Sequence, residues 1–350
     1  MKSALYATHN ANGAQMGEVD GWQVPDTFSS VAEEYAAAHS GAVVYDASPM
    51  GRLRLTGKTR VDFLHRMSTN DLSALAPGRG VATILTTPNA RIIDRLVACA
   101  RENDVVALTS RGAQVLVRRW LTKYIFFNDD VQVRDASGEM SMLSIYGAQA
   151  TRVVSALAGF AVDDLRRHDW LQVDEASFVV RADAIGGDGY HLVTAPLEST
   201  VDLWSKALAA GATPIGERAM EVLRIESGRP IFGRELSEAY IPLEAGLWGD
   251  VSFTKGCYVG QEIIARMESR NRLAKQMVGL RAAQPFSAGS DILADEVSVG
   301  KVTSAAMRPD GDAVGLGFVK PDYATSGAKV RIGADSLVTA EVIAFQSDRA

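Results

Sequence analysis

Lys255-Gly256-Cys257-Tyr258-Val259-Gly260-Gln261-Glu262 decides how the rest of this chain is read. It sets one of only two cysteines between glycines, beside a lysine, an amide and a carboxylate. A core cysteine normally sits in an apolar run, since free cysteine is among the most buried residue types. Here Gly256 tolerates backbone angles that other residues avoid and leaves room for close approach. Lys255 favours a thiolate wherever its ammonium comes near the sulfur. The plainer alternative is a buried cysteine in a tight loop that feeds a helix at about Gln261.

The chain has 350 residues, too many for one ordinary core, so two or three domains are expected. Hydrophobic residues make up 47% and charged residues 22%, which fits a folded globular protein and argues against disorder. A net charge of −6 argues against a broad nucleic-acid or anionic-membrane surface. A pocket for an anionic small molecule needs only a few arginines. Cys99 lies in the apolar run Leu96-Val97-Ala98-Cys99-Ala100 and reads as part of a buried strand, so a disulfide framework is not expected. Two cysteines cannot supply the four thiolates of a usual iron–sulfur site. His9, His39, His65 and His168 are scattered without metal-ligand spacing, so no metal site is expected. No apolar run approaches the roughly 20 residues of a membrane helix, and Met1 to Gly17 lacks an apolar signal-peptide core. A cytoplasmic location without a membrane partner is the expectation.

Residues 1–28 read as polar and turn-rich, and include Gly21-Trp22-Gln23-Val24-Pro25. Residues 29–40 form an Ala-rich helix, with Ser29 or Ser30 as cap and Glu33 completing a capping box. Ala42 to Asp46 and Arg52 to Gly57 read as strands, joined through Asp46-Ala47-Ser48-Pro49-Met50-Gly51. Arg60 to Met67 is helical and is followed by Asn70-Asp71. Val81 to Leu85 and Arg91 to Ala100 form a hairpin around Thr87-Pro88-Asn89-Ala90, and Val105 to Leu108 is a short strand. Ala113 to Tyr124 is a helix with Leu116, Trp120 and Leu121 inward, running into Leu121-Thr122-Lys123-Tyr124-Ile125-Phe126-Phe127. A second set of elements follows, with strands at 140–146, 178–182 and 190–194 and helices at 149–157, 197–210 and 217–227. Beyond the polar linker Ser269 to Lys275, short alternating runs separated by Gly, Pro and Asp predict a small closed β domain. No Gly-x-Gly-x-x-Gly follows a strand, so a dinucleotide site has no support.

The octapeptide resembles the Lys-Gly-Cys-Tyr-x-Gly-Gln-Glu signature of the YgfZ family, a branch of the folate-binding superfamily that includes the glycine-cleavage T-protein, an aminomethyltransferase. The resemblance covers nearly the whole chain. Gly21 to Pro25 resembles the T-protein's Gly-Trp-x-x-Pro. Asp46 to Gly51 resembles the superfamily's Asp-Val-Ser-His-Met-Gly, with Pro49 in place of histidine. Leu121 to Phe127 is closer to the YgfZ branch. The fold this implies is α+β: a cloverleaf of two α+β subdomains around a folate pocket, with a C-terminal β-barrel. The implied boundaries are 1–275 for the folate-binding region, with subdomains of about 1–50 with 135–275 and 51–134, and 276–350 for the barrel.

On residues alone, Asp94 in Ala90-Arg91-Ile92-Ile93-Asp94-Arg95-Leu96 is either a surface charge or a pocket carboxylate, because alternation puts it on one face with Ile92 and Leu96. The T-protein has Gly-Gly-x-x-Asp-Asp-Leu here, and its first aspartate, the catalytic carboxylate, matches Asp94. Ala90 and Arg91 replace the glycines and Arg95 the second aspartate. Arg224 in Val222-Leu223-Arg224-Ile225-Glu226-Ser227-Gly228 resembles the folate-contacting arginine of Leu-Arg-Leu-Glu-Ala-Gly; a planar guanidinium suits a carboxylate tail or a pterin edge. Met50 is a further implied cofactor contact. Gly189-Tyr190-His191 stands where the T-protein has Gly-Tyr/Phe-Glu, and Ala184 stands in place of a tyrosine. Neutral histidine accepts at one nitrogen only and cannot make that glutamate's paired contact with the pterin.

The resemblance implies that tetrahydrofolate, or a one-carbon-substituted form, is the cofactor. The main function expected is that of a YgfZ-type accessory factor in iron–sulfur enzyme maintenance or folate-dependent tRNA modification. Its partners would be iron–sulfur assembly proteins or client enzymes. The alternative is a folate-dependent aminomethyl or one-carbon transferase, and a third reading is a scaffold that no longer binds folate. Asp94 and Cys257 are the catalytic candidates, and Arg224, Met50, Asp94 and His191 the cofactor candidates. Lys255, Gly256, Cys257, Tyr258, Gly260, Gln261 and Glu262 form the signature motif.

Overall fold

A computed structural model describes residues 1–270, 272–333 and 337–345. It divides into two compact units, one made of Met1–Met67, Asp71–Thr83 and Arg95–Met220, the other of Ser68–Asn70, Ile84–Asp94 and the chain from Glu221 onward.

The first unit starts with a departure from the turn-rich expectation. Leu5 and His9, four residues apart and both fully buried, give the short helix α1 (Tyr6–Ala11) a packed side. Strands β1 (Gln15–Val19) and β2 (Trp22–Thr27) then form a hairpin in which Val19 pairs with Trp22. Its two-residue turn is Asp20-Gly21, at φ 51° and 77°. That dipeptide is a strong short-range hairpin signal, hidden here by polar flanks. Helix α2 (Val31–Ser40) has the full capping box between Ser30 and Glu33.

Two sheets follow. One is six-stranded and built from β3 (Ala42–Asp46), β9 (Ser141–Gly147), β10 (Trp170–Gln172), β11 (Ser177–Ala182), β12 (Asp188–Thr194) and β13 (Ala212–Pro214). Its order is β10-β11-β12-β9-β3-β13. Helices α5 (Ala150–Ala158) and α6 (Ser199–Ala209) share a core with it that includes Val44, Leu143, Ile145, Tyr190 and Trp204. The other sheet has the order β5-β6-β7-β4-β8, from β4 (Met50–Thr56), β5 (Gly80–Thr86), β6 (Ile92–Ala100), β7 (Val105–Arg111) and β8 (Gln132–Asp135). Cys99 is buried on β6. Helix α3 (Arg60–Met67) precedes β5 and α4 (Gln114–Lys123) follows β7. On α4 the buried stripe is Val117 and Leu121, continuing the buried Ala113 before it, at helical i, i+4 spacing. Leu116, expected to point inward, is 44% exposed.

The second unit holds α7's main body (α7 spans Glu217–Glu226), a 3₁₀ turn at Trp248–Asp250, helix α8 (Gln261–Arg270) and a closed barrel. The barrel strands are β14 (Gln276–Ala282), β15 (Asp291–Ala294), β16 (Val297–Met307), β17 (Ala313–Val319), β18 (Lys329–Ile332) and β19 (Val338–Ile343). β14 pairs with both β17 and β19, which closes the ring and leaves no open edge. Alternating Val278, Leu280, Ile292, Val302, Val330 and Val342 fill it. The short β15 carries no hydrophobic alternation long enough to be read, and its turn uses Asp295 and Glu296 at positive φ where glycine would have signalled it.

Candidate functional site

Within the second unit, the segment Ile84–Asp94 and the octapeptide loop are tied by backbone. The turn after β5 is closed by Ala90 N–H donating to the Thr87 carbonyl at 2.8 Å. Ile92 N–H donates to the Tyr240 carbonyl at 3.0 Å, and Arg91 donates to the Ala239 carbonyl at 3.1 Å. Asp94 follows and is completely buried, as are Ile92 before it and Leu96 after it. The surface-charge alternative is therefore excluded: a carboxylate has been taken out of water on a strand whose neighbouring position Ile93 is buried too.

The octapeptide approaches that turn through Gly260. Its φ is 86°, and a β-carbon there would lie 2.8 Å from both Thr86 Oγ1 and the Thr87 carbonyl oxygen. Thr86 Oγ1 donates to the Val259 carbonyl at 2.6 Å, which fixes the contact. Only glycine meets both demands, the left-handed backbone and the absent side chain. Lys255 is buried, and its ammonium donates to the carbonyls of Ser68 at 2.9 Å and Asn70 at 2.7 Å. The same Ser68–Asn70 segment is held by Thr69 Oγ1 on the Asp250 carbonyl at 2.7 Å and by Ser252 N–H on the Thr69 carbonyl at 3.0 Å. Tyr258 is buried among Ile84, Ile92 and Ile264, and its burial pushes the phenol up to about 12. Gly256 and Cys257 are exposed, Gln261 is half-buried, and Glu262 is exposed on the first turn of α8. The two cysteines thus differ: Cys257 faces solvent, whereas burial raises the Cys99 thiol to about 12.

Arg224, on α7, is only 4% exposed. Its Nε donates to Glu221 at 2.8 Å, Nη1 to the Arg229 carbonyl and to Glu235 at 3.3 and 3.4 Å, and Nη2 to Glu221 and to Ser304 Oγ. All five donors are engaged. Ser304 in turn donates to the fully buried Glu235 at 2.7 Å. A folate contact by Arg224 would have to break one of these bonds. Glu235 was not singled out from the sequence, since a lone carboxylate in a loop has no period to reveal it.

Within the first unit, Met50 is half-buried at the start of β4, and its N–H donates to the Ala47 carbonyl at 3.0 Å. Arg52, 1% exposed, donates to the carbonyls of Ser48, Met50, Ser137 and Met140 and so fixes the bend. Asp46, at its base, accepts from Ser3, Ser48 N–H and the His9 ring. Burial alone would raise the Asp46 carboxyl; those hydrogen bonds outweigh it and hold the group below the usual carboxylate range.

His191 sits on β12 opposite Ser144 of β9, with Ser144 Oγ 2.8 Å from Nδ1. Burial lowers its pKa to about 4, against a raising effect of Asp183. Asp183 itself is paired with Arg95 at 2.9 Å and Arg167 at 2.6 Å. Ala184 is exposed. Gly189 two residues before His191 is forced, because a β-carbon would meet the Asp183 carbonyl oxygen at 2.3 Å. Ser144 and Asp183 are partners that the sequence reading missed; each lies on a different strand or turn, with no local signal linking it to position 191.

The GCVT N-terminal domain model matches residues 5–255, and the glycine cleavage T-protein C-terminal barrel domain model matches residues 275–345. The chain belongs to the glycine cleavage T-protein family. A chloroplastic protein of Arabidopsis thaliana, provisionally named a transferase, is 34% identical over 332 residues, covering 94% of this chain and 76% of that one. The aminomethyltransferase of Geobacillus kaustophilus is 30% identical over 344 residues, covering 95% and 93%. The crystal structure of aminomethyltransferase T of the glycine cleavage system from Bartonella henselae shares the T-protein fold, with a TM-score of 0.89 at 24% identity over 99% of this chain and 97% of that one. The mixed α+β sheets and closed six-stranded barrel are the family's architecture. Among the described residues, no helix is long and apolar enough to cross a membrane.

Proposed function

We propose that this T-protein family member is a folate-dependent one-carbon transferase of the aminomethyltransferase kind. The observation that carries the reading is Asp94: a fully buried carboxylate in a chain whose relatives carry aminomethyltransferase names over nearly their whole length. A reduced folate, when bound, supplies ring nitrogens that take up a one-carbon unit. Asp94 would orient the amine or offset positive charge that develops there. Asp94 would offer such a group a buried carboxylate. His191 and Ala184 would not offer the paired pterin contact that the resemblance implies.

The test is Asp94→Asn, which keeps shape and removes charge. Tetrahydrofolate binding should persist within a few-fold while one-carbon transfer falls by about 10²-fold or more. A parent protein that transfers nothing from aminomethyl or methyl donors would end the transferase reading.

A second reading is favoured by the octapeptide, whose Cys257 is exposed. On it the protein is a YgfZ-type accessory factor in iron–sulfur enzyme maintenance or folate-dependent tRNA modification, with assembly proteins or client enzymes as partners. Complementation by the parent but not by Cys257→Ser, in cells lacking the gene, would support it. A cytoplasmic location belongs to both readings, and cell fractionation tests it.

A further inference from the structure

The Ser144–His191 pair fixes more than the position of a ring. Ser144 is fully buried and His191 is 8% exposed. The Ser144 hydroxyl has one proton to place, and its only hydrogen-bond partner among the described residues is His191 Nδ1 at 2.8 Å. A buried hydroxyl that merely accepted would leave its own proton unpaired, which is the costly arrangement. The hydroxyl therefore donates, and Nδ1 is the nitrogen with the free lone pair. In a neutral imidazole the proton then sits on Nε2. The ring is neutral at pH 7 because burial holds its pKa near 4. Nε2 meets no hydrogen-bond acceptor among the described residues. Of the nearby charges, Asp183 opposes the neutral form and Arg95, which is paired with Asp183, supports it; burial is the larger effect.

We propose that His191 presents a neutral Nε2–H donor, so the ligand at this point offers an acceptor, either a carbonyl oxygen or an unprotonated ring nitrogen. A carboxylate at the same position would instead demand a pair of N–H donors. The donor assignment stands on the Ser144 geometry, and the presence and identity of a ligand at His191 rest on the folate reading. On that reading, His191 makes the site indifferent to the pterin's 2-amino group.

Two measurements test it. Long-range ¹H–¹⁵N correlation on protein labelled with ¹⁵N-histidine, assigned with His191→Gln, reads the tautomer at pH 7 without any ligand. The Nε2–H form is expected; an Nδ1–H or doubly protonated ring overturns the proposal. Calorimetry then compares tetrahydrofolate with its 2-desamino-2-methyl analogue. The parent should bind the two within about threefold, and His191→Glu should prefer tetrahydrofolate by about tenfold or more, as a regained charge-assisted pair would give. A parent that loses about tenfold on the analogue overturns the proposal, whether or not the glutamate variant folds. Failure of the parent to bind either folate, with the Nε2–H form seen, removes the folate reading and leaves the donor assignment standing.

Discussion

In the second unit the octapeptide is placed by backbone; in the first unit His191 is placed by side chains. Gly260, the Thr87–Ala90 turn and the carbonyls of Ser68 and Asn70 set the octapeptide, and each contact involves the main chain. His191 depends on Ser144, and its electrostatic surroundings depend on Asp183 and Arg95. Backbone placement demands particular residue types, glycine above all, and so leaves a motif in the sequence. Side-chain placement can be re-partnered, so a change such as the histidine at position 191 leaves no comparable motif.

The comparison is sharpened most by Arg224. With Arg224's five donors on protein groups, Arg224→Ala leaves the buried Glu235 carboxylate without its cationic partner. Urea unfolding should show a loss of about 3–5 kcal/mol. A stable variant with weakened tetrahydrofolate binding would instead return Arg224 to the ligand.

Next in size is the pH response of the first unit. The His191 pKa falls from 6.5 to about 4 on folding. Between those values the unfolded chain binds a proton that the folded ring refuses. Stability from this group is thus full above about pH 6.5 and declines on acidification toward pH 4, by roughly 3 kcal/mol in all. His191→Gln should flatten that part of the stability-versus-pH curve; an unchanged slope would mean the ring is not held neutral.

Gly260→Ala should cost about 2 kcal/mol, from the left-handed φ and the contacts with Thr86 and Thr87. If thermal unfolding is unaffected, the octapeptide does not depend on its approach to the turn. The smallest effect belongs to Cys257→Ser, within about 0.5 kcal/mol, as expected of an exposed position. A thiol reagent should label Cys257 in the native protein well before Cys99, and equal rates would contradict the contrast in burial.

Much of this was legible. Periodicity and caps give α2, α3, β3 and most barrel strands, because each buries a repeating face. The Asp20-Gly21 hairpin was legible in principle, yet its flanks lack the apolar alternation that would have drawn attention to it. Leu116 misled because the stripe on α4 is set by Val117 and Leu121, one position further on. The resemblance singled out Asp94, while alternation alone left it open, since a strand buried on both faces carries no polar-out signal. Glu235, Ser144 and Asp183 were beyond reach, being defined by partners distant in the chain.

Calorimetric titration tests most directly the proposal that the protein binds a reduced folate with altered pterin recognition. Tetrahydrofolate and its 5,10-methylene and 5-formyl forms would each be titrated into the native protein. The account predicts saturable one-to-one binding of at least one form, retained in Asp94→Asn. No binding heat from any form, with the protein folded, would contradict it.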